Sequence, residues 1–255
     1  MLPASASSGG AGTLVQLPAN LQAGVPCPFS VDVVAALQFW QARCGMIVTV
    51  IAADGEIWRG RLAELGENGG LLIPFQRSLY PPESPLALTV YQALPEKERF
   101  ELILEKLTEL GVTRIVPFVS QHSSTLAARD AKQPKSHHWP KVLRRAAVQC
   151  RRAIIPELSP CLDLAAVFAD APDPALRLML YEGEGTSSLK SVITGHQGRQ
   201  VVLLIGPEGG FAAEEVASAR RHGFLPVSLG PRILRTETAA ISAATVIQYA
   251  LGDLN

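Results

Sequence analysis

Two loops near the C-terminus hold the residue types a chain uses to bring its backbone against a ligand. They are Leu203-Leu204-Ile205-Gly206-Pro207-Glu208-Gly209-Gly210-Phe211 and Leu229-Gly230-Pro231-Arg232-Ile233-Leu234-Arg235-Thr236-Glu237-Thr238-Ala239. Gly206, Gly209 and Gly210 permit unusual backbone angles and close approach, while Pro207 and Pro231 stiffen the turns and remove amide donors. Each loop follows a short apolar run and precedes a helical pattern, the place where open α/β folds hold ligands. The chemistry favoured is therefore capture of a cofactor by main-chain groups. Neither loop carries the dinucleotide fingerprint G-x-G-x-x-G or the Gly-Lys-Ser/Thr ending of a phosphate-cradling loop, which disfavours NAD and nucleoside triphosphates. One such loop is equally well a tight turn with no ligand; two together favour a pocket.

A second candidate lies between Lys141 and Arg152, where Lys141, Arg144, Arg145, Arg151 and Arg152 supply positive charge with no acid between them. At about 100° per residue, Lys141, Arg145 and Arg152 share a helical face with Gln149, and Arg144 and Arg151 border it. Val142, Leu143, Ala146, Ala147 and Cys150 point the other way. Taken alone, the run is the solvated face of an amphipathic helix; in a protein that handles RNA it becomes a track for phosphates.

The elements that must position these residues fall into two groups. Residues 1–12, rich in Ser, Ala and Gly, have no basic start and no apolar core, so they are expected to form a flexible tail and not a secretory signal. A β-rich module is expected over 13–77, with strands at 46–52 and 56–62 joined at Ala53-Asp54-Gly55, a hairpin signal, and another at 71–75. Prolines 81, 82 and 85 make 78–85 a linker. From 86 to 255 strands and helices alternate: strands over 86–93, 112–118, 177–181, 201–205 and 227–229, and helices over 98–110, 139–152, 214–222 and 237–251. Gly111 stops the first of these helices. The pattern is α/β with a largely parallel sheet.

Composition narrows the function. The 255 residues are 47% hydrophobic and 18% charged, as in an ordinary globular protein, and no apolar run reaches the roughly 20 residues of a membrane-spanning helix. Zero formal net charge argues against indiscriminate nucleic-acid binding by the whole surface, though not against a local basic stripe. Cys27, Cys44, Cys150 and Cys161 fit neither a zinc site nor a disulfide framework, and the five histidines form no metal-binding pair, so no metal is expected.

The Gly206–Phe211 loop, the 229–239 segment, Glu105-Lys106-Leu107-Thr108-Glu109-Leu110-Gly111-Val112-Thr113-Arg114-Ile115-Val116-Pro117-Phe118 and the closing Gly252-Asp253-Leu254 resemble the ribosomal RNA small subunit methyltransferase E family of the SPOUT superfamily. The resemblance is strong over about 90–255 and loose over 13–80. It implies a trefoil-knotted α/β methyltransferase domain preceded by a small PUA-like β-barrel that contacts RNA, a homodimer with the cofactor site near its interface, and a cytoplasmic location. It implies S-adenosyl-L-methionine as donor and N3 of a uridine in 16S ribosomal RNA of the small subunit as acceptor. Another RNA position, base or ribose hydroxyl, and a non-catalytic ribosome-assembly role are the competing readings.

Carried over by position, Leu180, Leu204, Gly206, Pro207, Glu208, Gly209, Leu229, Gly230, Ile233 and Leu234 are expected around the cofactor, with Glu208 at ribose hydroxyls or capping the next helix. Arg235 is the candidate for stabilising charge that develops on the base. Glu237 or Thr236 would orient it, Glu237 is alternatively the general base, and both residues are also candidates for capping the last helix. Arg144, Arg145, Arg151 and Arg152 would hold flanking phosphates, Arg152 being best matched to the family, whereas Arg151 stands where a small residue is more usual. The stretch 34–43 also departs from the family, with Arg43 its one basic residue.

Overall fold

The computed structural model describes residues 9–95, 99–132 and 136–254. They form two compact units, residues 9–83 with 144–156, and residues 84–143 with 157 onward. In the first unit β1 (Cys27–Ser30), β2 (Ile47–Ile51), β3 (Ile57–Gly66) and β4 (Gly69–Arg77) make an antiparallel sheet in the order β1-β4-β3-β2, with α1 (Val31–Phe39) following β1. The Asp-Gly signal acts as the sequence suggests: Gly55 has φ of 84°, and the Asp54 carboxylate accepts the Glu56 N–H at 3.0 Å. Along β3, Trp58, Gly60 and Leu62 are buried, while Arg59 and Arg61 occupy the alternate positions.

A linear division at 78–85 does not describe this unit, because residues 144–156 complete it. Ile155 N–H donates to the Thr13 hydroxyl at 2.9 Å, and Gly10 N–H donates to the Ile155 carbonyl at 2.8 Å. The end of the expected tail is thus held by backbone bonds; residues 1–8 lie outside the described residues.

The second unit contains β5 (Ala87–Ala93), α2 (Arg99–Glu109), β6 (Arg114–Val119), α3 (Leu126–Lys132), the first part of α4 (Trp139–Gln149), β7 (Glu157–Leu158), β8 (Leu162–Asp163), α5 (Leu164–Asp170), β9 (Leu176–Leu180), β10 (Ser187–Ser188), α6 (Leu189–Ile193), β11 (Gln200–Ile205), α7 (Ala213–Arg221), β12 (Leu225–Ser228) and α8 (Thr236–Leu251). The strand order is β10-β12-β9-β11-β5-β6-β7, with β8 also on β6, and every pairing is parallel. Parallel strands need cover on both faces, and β5 and β11 are accordingly buried at every position after the first. On one face Tyr91, Phe118, Met179, Leu204, Phe211 and Phe224 belong to a common core. Gly111 ends the α2 turn at φ of 75°.

One polar cluster at this core has a pH signature. Arg114 on β6 donates two bonds to the Asp170 carboxylate, at 2.8 and 3.0 Å, and the buried Tyr91 hydroxyl donates a third at 2.6 Å. Partial burial pushes the Asp170 carboxyl up, but the bonds from Arg114 and Tyr91 outweigh it and hold the group below its ordinary value. A carboxyl lowered on folding contributes stability above its unfolded pKa, about 3.9, and loses it as pH falls through the lower folded value. Asp170→Asn is therefore expected to destabilise by about 1–2 kcal/mol at pH 7, discounted for the carboxylate's partial exposure. The gap from wild type should narrow below pH 4. Urea unfolding from pH 3 to 7 checks this, and a constant gap over that range contradicts it.

Candidate active site

The carboxyl ends of three neighbouring parallel strands, β11, β9 and β12, open onto a cavity of about 330 Å³. Leu180 and Tyr181 come from the end of β9, Ile205 and Gly206 from β11, and Val227 and Ser228 from β12; the loop after β12 closes the cavity with Leu229, Gly230 and residues 232–235. This is the strand-end crevice where α/β sheets bind ligands. The Gly206 loop must lack a side chain at its first position, because a Cβ there would stand 2.9 Å from the Phe211 ring. Phe211 itself is buried and stacks on Phe118 with ring centroids 6.4 Å apart, so it has little room to yield.

Thr236 locks the two loops together. Its hydroxyl donates to the Gly206 carbonyl at 2.7 Å and accepts from Gln92 Nε2 at 3.0 Å, so the start of α8 is tied to the ends of β11 and β5. This differs from the orienting role expected for Thr236, since its hydroxyl is committed elsewhere and makes no bond to Arg235. No side-chain cap is made at the start of α8 either. Arg235 is exposed at the cavity edge and, like Arg232, forms no ion pair among the described residues.

Glu208 and Glu237 are gathered by a residue the sequence did not single out. Arg99, on the first turn of α2, donates to Glu208 Oε1 at 2.9 Å and lies 3.9 Å from Glu237 Oε1. Glu237 Oε2 is buried with no hydrogen-bond partner among the described residues, and Glu237, unlike Arg235 and Thr236, does not line the cavity, so its carboxylate is not open to substrate there. No local motif announces Arg99, because Glu208 lies 109 residues along the chain. Tyr181, Glu182 and Phe211 also line the cavity.

Of the expected cofactor residues, Leu180, Gly206, Pro207, Glu208, Leu229, Gly230, Ile233 and Leu234 line the cavity. Leu204 and Gly209 do not. Leu204 points into the core, as alternation along β11 requires, and Gly209 lies against His122, whose Cβ would be 2.9 Å from an added Cβ. The neighbouring turn is secured by Glu215, which accepts from Gln121 N–H and Ala212 N–H, both at 2.9 Å.

The basic run is not one continuous helical face. Helix α4 ends at Gln149, and Arg151 has φ of 67°, which turns the chain out of helical register. Arg152 consequently goes inward: it is 5% exposed, and its Nη2 and Nε donate to Glu83 Oε2 at 2.6 and 3.0 Å. Glu83 Oε1 also accepts from the N–H groups of Ala153 and Ile154. Arg152 is therefore neutralised within its own unit and is no part of an exposed stripe. Arg144 donates to Gln41 Oε1 at 2.7 Å, while Lys141, Arg145 and Arg151 are exposed. No group of three or more possible metal ligands is close together among the described residues.

An RNA methyltransferase domain model matches residues 82–248, which include the whole cavity and both loops. Fold and site thus define an α/β RNA methyltransferase. Ribosomal RNA small subunit methyltransferase E of Mycobacterium bovis is 35% identical over 195 residues, covering 74% of this chain and 72% of its own; that of Buchnera aphidicola is 29% identical over 199 residues, covering 78% and 80%. The crystal structure of the same enzyme from Neisseria gonorrhoeae, bound to S-adenosyl methionine, matches with a TM-score of 0.69 at 28% identity over 94% of this chain and 98% of that one. The chain belongs to the ribosomal RNA small subunit methyltransferase E family.

Proposed function

We propose that this protein transfers a methyl group from S-adenosyl-L-methionine to N3 of a specific uridine in the 16S ribosomal RNA of the small subunit. The observation that carries the reading is the cavity at the ends of β9, β11 and β12, walled by two Gly-Pro loops and edged by the unpaired Arg235. Its size and mixed lining suit the donor: Leu180, Ile205, Leu229 and Leu234 offer apolar walls for an adenine, and Gly206 and Gly230 leave main-chain groups approachable at its edge. Glu182 is the lining carboxylate suited to ribose hydroxyls, since Glu208 is engaged by Arg99.

When bound, the donor supplies an electrophilic methyl group on a sulfonium sulfur. Neutral uracil carries a proton on N3, so that proton must first pass to solvent, leaving an anion shared by N3, O2 and O4; N3 would then take the methyl group as the S–CH3 bond breaks, with the sulfur leaving as a neutral thioether and the methylated base neutral again. Arg235 would stabilise that charge and position the base. Thr236 holds Arg235's backbone in place through its two bonds, and Arg99 with Glu237 and Glu208 forms a positioning group behind it. N3 is hidden in a paired base, so the target would be unpaired or drawn from its stack. Lys141, Arg145 and Arg151 would contact flanking phosphates.

The same reading includes a trefoil knot formed by the C-terminal segment, a PUA-like role for residues 13–77, a homodimer and a cytoplasmic location. Val246 and Tyr249, three residues apart on α8 and 36% and 67% exposed, offer an apolar face to a second copy.

The test is nucleoside mass spectrometry of 16S RNA from small subunits lacking the modification, after incubation with protein and isotopically labelled donor. Labelled 3-methyluridine is expected; label on another atom would overturn the substrate while keeping the cofactor. In the same assay Gly206→Ala, which forces the Phe211 ring to shift, is expected to destabilise by about 1–3 kcal/mol and to weaken donor binding. Unchanged affinity by calorimetry would mean that the Gly206 loop does not wall the donor site.

A further inference from the structure

A second set of positive charges, distinct from the cavity, lies in the first unit. Arg59 on β3 stands directly across from Thr49 on β2. The Thr49 hydroxyl donates to the Arg151 carbonyl at 3.1 Å, which fixes the left-handed Arg151 turn beside that point of the sheet. Arg59, Arg151 and Arg152 then line one shallow crevice with Thr49, and no carboxylate lines it among the described residues. Arg152 is satisfied by Glu83, but neither Arg59 nor Arg151 forms an ion pair among the described residues, and Arg59 Nε is buried with no acceptor. The guanidinium of Arg59 is held below its ordinary pKa by burial and then by the Arg151 charge. Two like charges brought together, one with an unsatisfied donor, destabilise a fold unless an anion answers both.

We infer that Arg59 and Arg151 form a clamp for one phosphodiester of the RNA substrate, a role that rests on the RNA methyltransferase reading above. Guanidinium forks match phosphate oxygens and stay charged at any physiological pH. The contact would set the register of the RNA without reading its sequence.

The test uses the full-length protein, Arg151→Gly and Arg59→Gln. Arg151→Gly suits the site because glycine adopts the positive φ freely, so the turn survives while the charge is removed. Binding of 16S RNA, measured by filter retention from 50 to 300 mM KCl, is expected to weaken in each variant, with the slope of log K against log salt reduced in magnitude by about 0.7–1. Melting temperature should stay level or rise, since each change relieves repulsion. Unchanged salt slopes in both variants, in protein that still methylates RNA, would overturn the clamp and leave the methyltransferase reading intact. Absence of methylation by the wild-type protein would instead sink the reading on which the clamp rests. If inorganic phosphate raises the melting temperature of wild type but not of the variants, and RNA slopes do not change, the site takes free phosphate and the RNA assignment fails.

Discussion

Arg235→Ala is expected to lower methyl transfer at saturating donor by about 10²–10³-fold while leaving donor affinity within a few-fold of wild type. The magnitude is that of removing one preorganised donor from a developing oxyanion, and the split follows from the geometry. Arg235 sits immediately before α8, its carbonyl accepting the Ala239 N–H at 2.8 Å, so its backbone is fixed while its side chain stands exposed at the cavity edge. Among the described residues it forms no ion pair whose loss would collapse the wall. The loops that shape the cavity are tied through Thr236, Gly206 and Gln92 and do not depend on the guanidinium. Single-turnover methylation and calorimetric titration of the donor separate the two effects. Loss of donor binding with normal turnover at saturation would make Arg235 part of the cofactor wall.

The largest expected effect on stability belongs to Arg152. Arg152→Ala should destabilise by about 2–3 kcal/mol, somewhat under the figure for breaking a fully buried ion pair because Glu83 keeps some exposure and two backbone donors. The salt slope of RNA binding should not change, because the charge removed is already neutralised by Glu83. Chemical unfolding together with RNA titration at several salt concentrations decides the matter. A shallower slope with unchanged stability would return Arg152 to the RNA surface.

The contrast between these two arginines shows what the sequence made legible. The place of Arg235 at the cavity edge is legible because its surroundings are local: glycine and proline restrict the backbone wherever they occur, and an apolar run ending in Gly-Pro marks a strand end whatever follows. The hairpin at Asp54-Gly55 and the stop at Gly111 were readable for the same reason. Arg152 was misplaced because helical periodicity was carried past Gln149, and nothing in the residue types announces that Arg151 adopts a positive φ. That one turn exchanges an outward charge for an inward one. Arg99 was missed because its significance depends on Glu208, which only the parallel order β11-β5 brings near. Leu204 was assigned to the cavity by position in a motif, although the two-residue alternation of a strand sends it into the core beside cavity-lining Ile205.

The return of residues 144–156 to the first unit bears on how the protein is made. Thr13 and Glu83 are translated well before Ile155 and Arg152, the residues that satisfy them. At about 5–20 residues per second, the first unit waits several seconds on the ribosome without the guanidinium that answers Glu83 and without the Ile155 N–H that bonds Thr13, whose hydroxyl has a local acceptor in the Gly10 carbonyl. During that interval much of the second unit's early chain, β5 to α4, has already emerged. The two units therefore mature as interleaved events, and a nascent chain halted before residue 156 carries neither in finished form.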